Sequence, residues 1–202
     1  PAPDYPTAIA NSVAGLTASA KANIPLALAT AWGDNGGECN LTAALLGLQL
    51  YGELTFNESY DEQRLAERFR RCCHADAQAF LDLSLLNYMP GMKDNPSDPV
   101  NACKFMLYQD PLIQLFEADT QGYAMAEHFG SLVTRYARYA VENPEYGLLF
   151  DFYAALANAL ALKCVWHEQA GTAVRTRNRE QAAALADGIP ATVEALNTLR
   201  VV

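Results

Sequence analysis

Ile24-Pro25-Leu26-Ala27-Leu28-Ala29-Thr30-Ala31-Trp32-Gly33-Asp34-Asn35-Gly36-Gly37-Glu38-Cys39 is the stretch on which the reading of the fold turns. Its first six residues form a short apolar run of the kind expected for a buried strand. An indole and a carboxylate then stand at the C-terminal end of that strand, and Asn35-Gly36-Gly37 breaks regular structure. In a (β/α) barrel, substrates bind at that end of the strands. Trp32 offers an apolar face for a sugar ring, and Asp34 accepts hydrogen bonds from hydroxyls. Working outward, residues 6–22 read as a helix, with Ile9, Val13 and Leu16 among alanines and Pro6 suited to its first turn. Such a helix serves as the crossover packed outside the strand.

Three segments carry a resemblance. Trp32-Gly33-Asp34 resembles the last barrel strand of the family-20 glycoside hydrolases, the β-N-acetylhexosaminidases, where the pattern is Trp-Gly-Glu or Trp-Gly-Asp. Lys104-Phe105-Met106-Leu107-Tyr108-Gln109-Asp110-Pro111-Leu112 and Gly171-Thr172-Ala173-Val174-Arg175-Thr176-Arg177 are similar to the helical C-terminal domain of one bacterial branch of that family. The resemblance covers most of the chain. It implies a mainly α fold: a helical domain preceded by the last strand and flanking helix of a (β/α)₈ barrel. Residues 1–39 are then a fragment of the final barrel βα unit, and residues 40–202 the helical C-terminal domain. It further implies that Trp32 walls the pocket for a terminal N-acetylhexosamine and that Asp34 binds its hydroxyls, far from the cleaved bond.

Family-20 catalysis is substrate-assisted. The acetamido oxygen of the sugar attacks the anomeric carbon. An Asp-Glu pair on an earlier strand orients the acetamide and protonates the leaving oxygen. The chain has one Asp-Glu pair, Asp61-Glu62, within Ser59-Tyr60-Asp61-Glu62. This reads as a capping box, with Ser59 at the N-cap and Glu62 at N3. No catalytic residue is therefore assigned. A whole barrel needs roughly 200–250 residues of alternating strands and helices, whereas this chain offers a single convincing strand. The expectation is the C-terminal portion of a larger hexosaminidase, inactive by itself.

Composition sets outer bounds. In 202 residues, 51% hydrophobic and 18% charged side chains supply a real core and argue against disorder. The formal net charge of −9 disfavours nucleic acid and anionic membrane surfaces as partners. The five cysteines are odd in number and two are adjacent, which suggests reduced thiols in a cytoplasmic protein rather than a disulfide framework. Cys72-Cys73-His74, or Cys164 with His167, invite a metal reading, but neither has a paired Cys-x-x-Cys partner. Cys72 and Cys164 fall on apolar helix faces, so buried thiols are expected, with no metal and no cofactor. The apolar stretch 146–166 is interrupted by Asp151, Asn158 and Lys163, which favours a central buried helix over a membrane span.

The remaining chain reads as helices. Asn40 caps one that reaches Phe56, with Leu41, Leu45, Leu48, Tyr51 and Leu54 inward. A charged helix follows Ser59, with Leu65, Phe69 and Cys72 inward and Arg64, Glu67, Arg68 and Arg71 on a salt-bridged wet side. Residues 76–87 bury Phe80, Leu83 and Leu86. Residues 90–100 form a loop. Asp110-Pro111 starts a helix spanning 112–117. Residues 122–142 form an amphipathic helix burying Tyr123, Phe129, Val133, Tyr136 and Ala140. After the central helix, Asn178 caps a last one, which Gly188 and Pro190 interrupt.

Two groups admit a binding reading. The aromatic stripe Tyr136, Tyr139, Tyr146, Phe150 and Tyr153 is either a carbohydrate platform or, as favoured, core packing. Arg175 and Arg177 reach either a ligand carboxylate or phosphate or, as favoured, neighbouring helix ends. The candidate site thus rests on Trp32 and Asp34, and the expected partners are the barrel of the same polypeptide, an N-acetylhexosaminide and a second copy of the chain. The rival readings are a non-catalytic helical protein-interaction module, which lacks an exposed seam along residues 1–40, and a lectin-like sugar-binding domain.

Overall fold

The computed structural model describes residues 2–31, 39–57, 59–88, 102–110, 112–115, 120 and 122–201. The described residues are mainly helical: α1 (Tyr5–Lys21), α2 (Leu45–Phe56), α3 (Glu62–Cys73), α4 (Ala77–Leu81), α5 (Ala102–Tyr108), α6 (Met125–Glu142), α7 (Gly147–Thr176) and α8 (Arg179–Val201). Short 3₁₀ turns, Leu41–Ala44, Asp82–Leu86 and Pro144–Tyr146, lead into or extend α2, α4 and α7. No strand occurs among the described residues. The chain divides into two compact units, Pro1–Leu85 with Asn143–Leu149, and Leu86–Glu142 with Phe150–Val202.

In the first unit, Asp4 caps α1 by accepting from the Thr7 amide at 3.1 Å, and Pro6 occupies its first turn. Tyr5 anchors this end: its ring is buried, its amide donates to Ser84 Oγ at 2.9 Å, and its phenol donates to the Ala43 carbonyl. Ile9, Val13 and Leu16 are half-buried, as their spacing suggests. The inward line of α2 differs from the expected one. It runs through Ala43, Leu46, Leu50 and Glu53, while Leu41 and Leu48 face solvent. This helix carries leucines on several faces, so the repeat alone does not choose a side.

Helix α3 packs Leu65 and Phe69 inward. Phe69 meets Phe80 edge-on at 5.0 Å between centroids, and Phe80 meets Tyr146 at 5.3 Å. Cys72, expected inward, is exposed. It lies in the last turn, just before His74 takes a left-handed conformation (φ 53°) and redirects the chain. The 143–146 turn closes the unit: Asn143 Oδ1 accepts from the Asp76 amide at 2.8 Å, and the Tyr146 hydroxyl donates to the Cys73 carbonyl at 2.8 Å.

In the second unit, α7 supplies the core with Phe150, Tyr153, Leu156, Ala157, Leu160 and Cys164. Helix α6 presents Met125, Phe129, Leu132, Tyr136 and Tyr139 to it. That line is offset from the expected Val133 and Ala140, because turning Tyr139 rather than Ala140 inward removes far more apolar surface from water. Tyr136 lies 6.2 Å from Tyr153 and Tyr139 lies 5.7 Å from Phe150, so the aromatic stripe is core packing. By length and composition Pro144–Thr176 could cross a membrane, yet its aromatic and leucine face is this buried core.

Helix α8 runs unbroken through Pro190, against expectation. Proline deletes one backbone hydrogen bond, but Ala195 beyond it is still buried and packing carries the helix on. Residues 112–115 form a turn instead of the expected helix, with Gln114 at φ 52°. Asp110 does cap that turn, accepting from the amides of Leu112 (2.8 Å) and Ile113 (3.2 Å). The expected loop at 90–100 lies outside the described residues.

Candidate functional site

Trp32 and Asp34 both lie outside the described residues, within 32–38. The described chain on either side bears on the expected strand. Helix α1 closes with Asn23 left-handed (φ 54°) and the Ile24 amide donating to the Ser19 carbonyl at 3.0 Å. The next residues, up to Ala31, are neither helix nor strand. Ile24 is 54% exposed, Leu26 81% and Leu28 80%. The strand expected at residues 26–30 is therefore not formed in this chain. A ladder needs a neighbouring strand to accept and donate, and none is present among the described residues. Downstream, Asn40 restarts helical structure by accepting from the Thr42 amide at 2.9 Å.

Asp61-Glu62 is a helix start. Asp61, not Ser59, is the N-cap of α3, accepting from the Arg64 amide at 2.9 Å, with Glu62 in the first turn. Ser59 instead offers its carbonyl to the Arg64 guanidinium. An acidic cap followed by an acidic first turn suits the positive end of the helix dipole. The arginine cluster is only partly the solvated face expected. Arg71 pairs with Glu67 on the surface, but Arg64 (3.4 Å) and Arg68 (3.3 Å) converge on Glu53, which is 4% exposed. Gln49 and Asn57 amides donate to the same carboxylate at 3.2 Å. Sequence reasoning misses this buried charge, although Glu53 continues the Leu46–Leu50 line.

The second unit contains a cavity of about 560 Å³ walled by Gln114, Tyr123, Glu127, His167, Glu168 and Arg175. Gln114 Nε2 donates to the His167 carbonyl at 2.7 Å. Its amide occupies the space beside Gly171, where an added Cβ would come within 2.6 Å of Oε1. Cys164 also lines the cavity, but burial pushes its thiol up to about 12. It therefore stays protonated near neutral pH and is inert as a nucleophile. Among the described residues, no group of three His, Cys, Asp or Glu side chains is placed to hold a metal ion.

Arg175 and Arg177 serve the helix end. Arg175 donates to Thr172 Oγ1 at 3.3 Å. Arg177, left-handed at φ 51°, closes α7 by donating its amide to the Val174 carbonyl at 3.2 Å. Asn178 then caps α8, accepting from the Glu180 and Gln181 amides at 3.0 and 3.1 Å. Between α7 and α8 runs an apolar groove of about 510 Å³, with Arg177 and Arg179 at one end. Its floor holds Ala170, Ala173 and Leu185, and the indole of Trp166 is tied to the Leu185 carbonyl at 3.2 Å.

No curated protein matches the chain. A family model described as the Glycoside Hydrolase 20C C-terminal domain matches residues 78–202, more than half of the sequence. The matched span begins in α4 and includes α5 to α8, and so takes in the aromatic core, the cavity and the groove. Trp32 and Asp34 fall before it. With its aromatic-cored helices aligned to that family over most of their length, this chain belongs to the glycoside hydrolase 20C C-terminal domains.

Proposed function

We propose that the chain is the C-terminal portion of a β-N-acetylhexosaminidase that removes terminal N-acetylhexosamine by the substrate-assisted retaining route. Its helical domain buttresses the barrel, and Trp32 and Asp34 line the saccharide subsite. The proton donor and its orienting Asp belong to another part of the polypeptide, so the chain alone does not turn over. One observation carries this reading: a domain of the 20C C-terminal family is preceded by an apolar segment, Ile24 to Ala29, whose leucines face solvent. Exposed leucines in a segment without regular structure next to a Trp-Gly-Asp motif fit a strand awaiting its barrel neighbours. All five cysteines are unbridged, which fits a reducing cytoplasmic setting.

The test is a chromogenic N-acetylglucosaminide assay. The purified 202-residue chain is expected to show no turnover and no saturable binding of N-acetylglucosamine. In the complete enzyme, Trp32→Ala and Asp34→Ala are expected to raise KM by tenfold or more, about the worth of one well-placed sugar contact of 1.4 kcal/mol. Robust hydrolysis by the chain alone, or unchanged KM in both variants, refutes the proposal.

A further inference from the structure

Helix α2 has two apolar faces. Ala43, Leu46, Leu50 and Glu53 form the buried line. Leu45, Leu48, Gly52 and Phe56 recur at steps of three and four residues and so share the other side of the helix. Leu41 continues that second line into the preceding turn. Leu41 is 70% exposed, Leu48 56% and Phe56 85%. One apolar stripe is enough to dock a surface helix on its own core, so the second stripe calls for a second neighbour.

Three observations name that neighbour. The family match starts at residue 78, within α4, so α1 and α2 precede the helical domain it describes. Helix α2 follows the apolar run Ile24 to Ala29 after a stretch holding Gly33, Gly36 and Gly37, which is the strand, turn and helix order of a barrel unit. Helix α1, just before that run, packs beside α2. The Tyr5 hydroxyl donates to the Ala43 carbonyl, and the Tyr5 ring stands 4.0 Å from where a Cβ on Gly47 would lie. Successive helices in the outer ring of a barrel are neighbours in this way.

From this we infer that α2 is the closing helix of that outer ring, and that its exposed stripe docks on the parallel sheet supplied by the preceding part of the same polypeptide. Crossovers in a parallel sheet are right-handed, so a helix covers the strand it follows together with the next strand in order. After the last strand of a closed ring, the next is the first. Leu41, Leu48 and Phe56 therefore seal the seam between residues 26–30 and the first barrel strand, and the barrel part of the chain extends through Phe56. The inference rests on the reading of the chain as the C-terminal portion of a barrel enzyme and adds which surface meets the barrel.

Cysteine labelling of the 202-residue chain and of the complete enzyme tests it. Leu48→Cys and Phe56→Cys are each treated with iodoacetamide, and modification is followed by peptide mass spectrometry. Cys72, exposed at the end of α3, is the reference thiol in both proteins. In the chain the introduced thiols are expected to react as fast as Cys72. In the complete enzyme they are expected to react at least about tenfold more slowly than Cys72, because the face must open before the reagent reaches it. Equal reactivity in the two proteins overturns the inference. So does shielding in the chain alone that dilution relieves, which makes a second copy the occupant. Hydrolysis of a chromogenic N-acetylglucosaminide by the complete enzyme is measured alongside. An active enzyme with both thiols unshielded overturns the inference and leaves the glycosidase reading standing. An inactive protein with both thiols shielded does the reverse.

Discussion

The side-chain amide of Gln114 occupies the space that any side chain at Gly171 would need: an added Cβ there lies 2.6 Å from Oε1 and 2.7 Å from Nε2. Gln114 also sits in the left-handed region and donates to the His167 carbonyl at 2.7 Å. The glycine and the strained glutamine are thus two halves of one fitting. Gly171→Ala gains about 1 kcal/mol of helix propensity and loses a hydrogen bond worth about 1 kcal/mol. The blocking atoms are the tip of a flexible side chain, so the amide swings away. The expected outcome is a stability change within about 1 kcal/mol. Combined with Gln114→Gly, which relieves about 1 kcal/mol of left-handed strain, the same substitution is expected to stabilise. Urea unfolding of the two single variants and the double variant measures the coupling.

Glu53 is a buried charge of the first unit, held by Arg64, Arg68 and two amides. Glu53→Ala leaves two guanidinium groups without their shared carboxylate. Both arginines are partly exposed, at 29% and 47% of their side chains, so water recovers part of the loss. The expected cost is about 1–3 kcal/mol, below the range for a fully buried pair. Arg64→Ala is expected to cost more than Arg68→Ala, because Arg64 is the less exposed of the two and also holds the Ser59 carbonyl. Denaturant midpoints at constant slope decide the order.

Alkali is expected to destabilise the fold through Tyr5 and Cys164. Burial raises both groups, Tyr5 well above its ordinary value of 10.0 and Cys164 from 9.0 to about 12. Each native acid holds its proton more tightly than the unfolded chain does. Its contribution is therefore fully present below the unfolded value and declines as pH rises towards the folded one. For Cys164 the decline runs from about pH 9 to about pH 12. Cys164→Ala is expected to flatten the loss of melting temperature in that window, and Tyr5→Phe to flatten the part that begins near pH 10. Tyr5→Phe also removes the donor to Ala43, at about 1 kcal/mol.

Hydrogen exchange should divide the exposed segment after α1 from the helical core. The amides from Leu26 to Ala31 are expected to exchange within seconds in a dilute monomer, whereas those of α7 near Leu156 and Leu160 report global unfolding. Leu26→Ser and Leu28→Ser are expected to change stability by less than about 0.5 kcal/mol, against about 3–5 kcal/mol for Phe69→Ala or Phe80→Ala in the aromatic cluster. Strong protection over residues 24–31 favours instead a self-contained helical module.

The helices themselves are legible in the sequence wherever caps or one-sided patterns exist. Asn40, Asp110 and Asn178 act as caps, and Phe80, Leu83 and Leu86 are buried at the expected positions. Legibility fails where several faces compete. Leucines on more than one side of α2 hide the line ending at Glu53, and Tyr139 displaces Ala140 because area outweighs simple spacing. Ser59 and Asp61 are both good caps, and only the onset of α3 tells them apart. Pro190 reads as an interruption because a sequence does not show the packing that sustains a helix on either side. The strand expected at residues 26–30 rests on apolar content alone, which measures burial potential and not the presence of a hydrogen-bonding neighbour. Trp32 and Asp34 rest on resemblance, while the cavity at His167 depends on contacts between Gln114 and Gly171, residues 57 positions apart, which no local pattern reveals.

Arg177 occupies a backbone conformation that glycine adopts without steric cost. An arginine there is held against its own preference by about 1 kcal/mol, at the mouth of the apolar groove. Arg177→Gly should accordingly make the α7–α8 corner more robust while removing a positive charge from its rim. Stability and surface character are opposed at a single residue, so a variant chosen for heat resistance alone would erase the cation first.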